Sequence, residues 1–181
     1  MRKSRDFNLL ISTRRFREFD CRSEFKYILS EFGDEKAQVR AIGIPGLVTA
    51  KTSLNPFEVI DKLKELVKER PWEVRYTLKV IPIEIVVETD FNTIVEQAQR
   101  LALAKITEKE TYRITVNKRF TAMSRRELID AIAAGINRKV NLENPDKIVE
   151  IEILGSVTGI SVLRQEDILS IVKLKRKLGV E

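Results

Sequence analysis

Glu110–Val140 reads ETYRITVNKRFTAMSRRELIDAIAAGINRKV: a strand pattern, a basic turn, a helix start and a basic exit. Tyr112, Ile114 and Val116 alternate with Arg113, Thr115 and Asn117, as in a half-buried strand, and the run ends in Lys118 and Arg119. Ser124 followed by Glu127 is a capping-box pattern, and Leu128, Ile132 and Ile136 recur at the spacing of a buried helix face. The spacing predicts a helix starting at Ser124, with Arg125 and Arg126 in its first turn. The positive end of the helix dipole disfavours cations there by a few tenths of a kcal/mol. An anion resolves that conflict. Free N–H groups at the helix start, two guanidinium forks, Lys118 and Arg119 together suit phosphate oxygens. The plainer alternative is a solvated basic surface. Charge favours the phosphate reading: Thr111 to Val140 holds seven cations, Arg138 and Lys139 included, against Glu127 and Asp130, a net +5 in a chain whose total is +6.

Composition narrows the chemistry around this stretch. Hydrophobic residues make up 43% of the 181, ample for packed cores in one large or two small domains. No apolar run approaches a membrane span, and MRKSRDFNLLIS is too weakly apolar for a secretory signal, so the expected location is the cytoplasm. One cysteine, Cys21, excludes an internal disulfide and a cysteine-cluster zinc site. The absence of histidine removes the commonest general base and metal ligand. Catalytic residues, metal and cofactor are therefore expected to be absent. A pI near 9.5 points to an acidic partner.

Upstream, Phe7–Ser12 is a short strand-like run. Arg14 to Phe32 follows as a helix whose Phe16, Phe19, Phe25 and Ile28/Leu29 line one side. Arg14, Arg15 and Arg17 then sit at a helix start, either as a second phosphate contact or as a solvated end. Residues 37–42 and 47–52 flank Gly43-Ile44-Pro45-Gly46 as a hairpin, and Asn55-Pro56 opens a helix with proline at its first position. Val74 to Ile81 alternates as a strand, leaving Arg75 and Lys79 on an exposed sheet face. This β-α-β-β-α-β order is that of a ferredoxin-like domain over residues 1–82.

Pro82 to Thr89 reads as a rigid connector, and Asp90 to Ile106 as a helix capped by Thr89 or Asp90. Glu84, Glu88, Asp90 and Glu96 lie strung along this region, unlike a catalytic carboxylate pair held in one pocket. Beyond Val140, Ile148 to Leu154 alternates Val149, Ile151 and Ile153 with Glu150 and Glu152, a strand with one wet face. Gly159 and Ser161 leave a small-residue face on the next strand, Val157–Leu163. Residues 166–181 read as a basic C-terminal helix or tail carrying Lys173, Lys175, Arg176 and Lys177.

Several of these phrases, ETDFNTIVEQA, ETYRITVNKR, SRRELIDAIA, VNLENPDKIVEIEILG and TGISVL, make residues 83–165 resemble a THUMP domain. FNLLIST, LNPFEVIDKL and RYTLKVIPIE resemble the ferredoxin-like domain that precedes it. The fold expected is α+β, a ferredoxin-like domain followed by a mixed α/β THUMP domain. A chain with this pair of domains and nothing further is similar to the adaptor that presents transfer RNA to a separate cytidine acetyltransferase. The resemblance implies docking of the acceptor stem and CCA end, without catalysis. It places the RNA-binding residues at Lys118, Arg119, Ser124, Arg125, Arg126, Arg138 and Lys139. Arg14, Arg15 and Arg75 are added from the residue reading. A cationic surface without an aromatic platform would bind an A-form stem by phosphates and 2′-hydroxyls. The alternatives are a stand-alone RNA-modifying enzyme and a protein-assembly scaffold. No glycine-rich phosphate loop with a downstream Lys-Ser/Thr supports the former.

Overall fold

Leu9–Ser12 forms β1, the centre of an antiparallel sheet, because its apolar side chains are wanted on both sheet faces. The structure, a computed structural model, describes residues 6–180; the first five residues and Glu181 lie outside them. The described chain divides into two compact units. One comprises the residues up to Ile83 together with those from Glu166 onward, and the other is Glu84–Gln165.

In the first unit, α1 (Glu18–Glu31), β2 (Gln38–Ala41), β3 (Leu47–Lys51), α2 (Pro56–Glu69) and β4 (Lys79–Pro82) follow β1. The strand order β4-β1-β3-β2, antiparallel throughout, is the ferredoxin-like one. Leu9 and Ile11 pack with Phe25 and Leu29 of α1 and Ile60 and Leu63 of α2. Asn55 caps α2 by accepting from Phe57 N–H, with Pro56 at the first helical position.

Two expectations in this unit are corrected. First, α1 starts at Glu18, four residues later than Arg14: Phe16 has φ 68°, a left-handed conformation that a helix cannot contain. Phe16 and Phe19 are exposed, and Cys21 is buried in their place. Second, the strand expected from Val74 is reduced to Lys79–Pro82. The Glu24 carboxylate accepts N–H bonds from Arg75, Tyr76 and Thr77 at 2.6–3.1 Å, which removes those amides from any ladder. The basic C-terminal segment, expected as a helix or tail, is a short strand and a helix within this unit. Leu169–Ser170 is β10, antiparallel to β4, and Ile171–Leu178 is α5. Ser170 caps α5, and Gly179 ends it in the left-handed conformation.

In the second unit, β5 (Ile85–Glu88), α3 (Phe91–Lys105), β6 (Thr111–Arg119), α4 (Arg125–Ala134), β7 (Lys139–Val140), β8 (Lys147–Leu154) and β9 (Val157–Leu163) form a mixed sheet of order β5-β9-β8-β6-β7. β6 is parallel to both β7 and β8. The supposed connector thus contains a strand: Ile85–Glu88 pairs with β9. Ile94, Ala98 and Ala102 of α3 and Leu128 and Ile132 of α4 pack against Tyr112, Val116, Ile151 and Ile160. At the end of α4 the Gln99 amide donates to the carbonyls of Ala131 and Ile132. It fills the space beside Gly135, where a Cβ would lie 2.2 Å from Gln99 Nε2.

Candidate nucleic-acid interface

The site is built where β6 ends and α4 begins. Ser124 Oγ accepts from Glu127 N–H at 3.2 Å, so the predicted cap is present and that oxygen is engaged in it. Lys118 Nζ donates to the Met123 carbonyl at 2.9 Å and closes the intervening turn. Arg125 Nε donates to the Val116 carbonyl at 2.9 Å, which lays the side chain back toward the sheet. Arg126 is exposed and makes no ion pair among the described residues. Lys118, Arg125 and Arg126 therefore gather at the positive end of α4 as a compact cationic group. Phe120 stands in their turn, 75% exposed and with φ 56°.

Arg119 does not join them. Alternation along β6 sends it to the opposite sheet face, where Nη1 meets Glu152 Oε2 at 2.6 Å. Asn117 Nδ2 reaches Glu152 Oε1 at 3.1 Å and Glu150 Oε1 at 3.3 Å. The wet face expected for β8 is a correction here: Glu150 and Glu152 are 2% and 1% exposed. A carboxylate buried so deeply requires a cation and hydrogen bonds to hold its charge, and Arg119 and Asn117 provide them for Glu152. Arg119 is committed to that ion pair between β6 and β8.

Arg138 and Lys139 lie at the far end. Lys139 is paired with Thr111 at the start of β6, eight residues from Arg119, or roughly 26 Å at the usual strand rise. Arg138 Nε donates to the Ile106 carbonyl at the end of α3, and its Nη1 donates to Asn137 Oδ1 at 2.6 Å. Lys139 is exposed. The seven residues predicted as one surface are thus a cluster at the start of α4, one cation committed to the sheet, and a distal pair.

In the first unit, Arg14 and Arg15 sit in a turn outside α1 and make no ion pair among the described residues. Thr13 N–H donates to the Gly46 carbonyl at 2.9 Å, and Gly46 N–H donates to Glu18 at 2.8 Å, which fixes the turn against the β2–β3 hairpin. Gly46, at φ 77°, has the Thr13 carbonyl 3.0 Å from where a Cβ would stand. Arg75 lies with its guanidinium 5.6 Å from the centre of the Tyr76 ring. The sequence reading missed the exposed Phe16, Phe19 and Phe120 beside cations, while Lys175 and Arg176 of the expected basic C-terminal segment stand on α5. The twice-occurring pattern of two cations followed by phenylalanine was the available signal.

Other chemistry finds little here. Burial pushes the Cys21 thiol up to about 11, outside nucleophilic use at neutral pH. Glu84 accepts from Lys105 Nζ, Ser161 Oγ and Val162 N–H, and so occupies the small-residue face of β9. Among the described residues no three His, Cys, Asp or Glu side chains group as metal ligands, and no helix is long and apolar enough to cross a membrane.

Residues 88–163, nearly the whole of the second unit, match the family model of the THUMP domain. No match was found among curated protein sequences. Among solved structures, PH1313 from Pyrococcus horikoshii Ot3 is similar over 88% of this chain and 55% of its own, with TM-score 0.58 and 20% identity. TrmN from Thermus thermophilus is similar over 87% of this chain and 45% of its own, with TM-score 0.57 and 14% identity. A 4-thiouridine synthetase solved as an RNA complex with bound ATP is similar over 88% and 42%, with TM-score 0.59 and 14% identity. At these identities the likeness is one of fold, and the chain spans about half the length of each.

Proposed function

We propose, from the THUMP domain at residues 88–163, that this protein binds transfer RNA and acts as a non-catalytic cytoplasmic adaptor. It docks the acceptor stem and CCA end and presents the RNA to a separate cytidine acetyltransferase. The observation that carries the RNA reading is the cationic group at the start of α4, with Arg126 exposed and free of ion pairs among the described residues. Similarity in fold to an enzyme solved with RNA supports it. Phosphate and 2′-hydroxyl contacts along an A-form groove need cations held on a rigid helix end rather than base-reading side chains. The paucity of nucleophiles, general bases and metal-ligand clusters fits a division of labour in which the partner supplies the reaction.

The test is binding of total transfer RNA, with and without its CCA end, over a salt series. Arg126→Glu is expected to weaken binding more than tenfold and to lower the log–log salt slope by about one. Failure of the wild-type chain to bind at low salt overturns the RNA reading. Acetylcytidine formation by the purified acetyltransferase at an undiminished rate without this chain overturns the adaptor role.

A further inference from the structure

A second cationic feature stands apart from the α4 cluster. Within the first unit, the Arg14 turn, the loop over residues 74–78 and α5 enclose a cleft of about 320 Å³. Arg14, Arg75, Lys175 and Arg176 line it, and among the described residues no acidic one does. None of the four forms an ion pair among the described residues. The first unit also has a larger hollow, of about 700 Å³, with the opposite character. There Asp6, Asp34 and Glu35 sit beside Lys36 and Lys51; Lys51 is paired with Asp6, and Asp34 is satisfied by Thr52 Oγ1 and Ser53 N–H. The larger hollow mixes three acids with two lysines, whereas the smaller cleft carries cations alone among its described lining residues.

Its walls are fixed by contacts that leave the charges in place. Glu24 gathers the amides of Arg75, Tyr76 and Thr77, and Lys175 Nζ donates to the Val74 carbonyl at 2.6 Å, which ties α5 to that loop. Leu78, Val172 and Val180 add accessible apolar surface to the lining. A cleft of this volume with an apolar lining and a few convergent charges suits a small organic anion better than a bare ion or a flat duplex backbone. Four like charges this close also repel one another until an anion screens them.

We infer that this cleft binds a single unpaired nucleotide of an RNA strand, with its phosphate among Arg14, Arg75, Lys175 and Arg176 and its base or ribose against Leu78, Val172 and Val180. The inference rests on the RNA-binding reading above and adds a single-strand site on the other unit. It gives the C-terminal helix a role in RNA contact.

The experiment titrates the full chain with a fluorescent single-stranded hexanucleotide at low salt. Wild type is compared with Arg14→Ala, Arg176→Ala and Arg126→Glu, and the thermal midpoint of each is recorded. The expected result is a loss of at least tenfold in Arg14→Ala and Arg176→Ala, midpoints unchanged, and little loss in Arg126→Glu. Adenosine monophosphate should displace the hexanucleotide at concentrations where inorganic phosphate and adenosine do not. Hexamers with and without a 5′-phosphate distinguish a terminal from an internal nucleotide. Unchanged hexamer affinity in both alanine variants overturns the proposal, and so does equal displacement by inorganic phosphate. Failure of the wild-type chain to bind transfer RNA, with hexamer binding intact, would sink the α4 reading alone. The converse would sink this one alone.

Discussion

Arg14-Arg15-Phe16 in the first unit and Lys118-Arg119-Phe120 in the second are alike in sequence, and in both the phenylalanine is exposed on left-handed backbone. Their cations have different uses. In the second turn Lys118 closes the loop on Met123, and Arg119 neutralises the buried Glu152. In the first turn, Gly46 and Glu18 hold the backbone, and the two arginines form no ion pair among the described residues. Where backbone and an acid do the anchoring, cations stay available for a ligand. Where a buried carboxylate must be met, they do not. Counting cations along a sequence therefore overstates the interface in one turn and misplaces it in the other.

The largest effect expected from this contrast is on stability. Arg119→Ala leaves Glu152 buried without its cation and should cost about 3–5 kcal/mol in urea unfolding, whereas Arg14→Ala should stay within about 0.5 kcal/mol. Equal costs would erase the distinction. A smaller gain is expected from the strained aromatics: asparagine tolerates the left-handed region better than phenylalanine. Phe16→Asn and Phe120→Asn should each raise stability by about 0.5–1 kcal/mol, measured by the same unfolding curves. The smallest effect is local and acid-dependent. The Gly46 N–H bond holds the Glu18 carboxyl below its ordinary value of 4.5. A lowered native value means that the contribution of Glu18 is present above about 4.5 and fades as pH falls through the lower native value. Protection of the Gly46 amide from exchange, corrected for the intrinsic rate, should decline over that acid range in the wild type and be flat in Glu18→Gln.

Much of the architecture was legible because local periodicity and burial agreed. Tyr112 and Val116, and Leu128 and Ile132, pack as their spacing requires, and Asn55-Pro56 and Ser124 cap their helices. The errors arose where a distant group overrode the local pattern. Alternation at 74–78 is a sound strand signal, but Glu24, some fifty residues earlier, claims its amides. Ile85–Glu88 lacks alternation and becomes a strand only through β9. Glu150 and Glu152 look solvated until the register sets Asn117 opposite Glu152 and Arg119 reaches its carboxylate. The helix at 14–17 fails at Phe16, whose positive φ nothing in a composition scale reveals. For the candidate site, the turn and cap at 118–126 were readable. The division of Arg119 from Arg126 by strand alternation was readable in principle, since Arg119 shares the parity of Asn117 rather than Val116.

Because β10 lies beside β4, the first unit is interrupted in the chain by the whole of the second. At translation rates of about 5–20 residues per second, roughly 5–20 s separate the emergence of Ile81 from that of Leu169. Throughout that interval β4 is an open sheet edge on the nascent chain, the kind of surface that recruits foreign strands. The second unit, contiguous in sequence, is complete on the ribosome before its predecessor is sealed. A chain cut short between Gln165 and Leu169 would therefore carry a finished second unit attached to an unclosed first one.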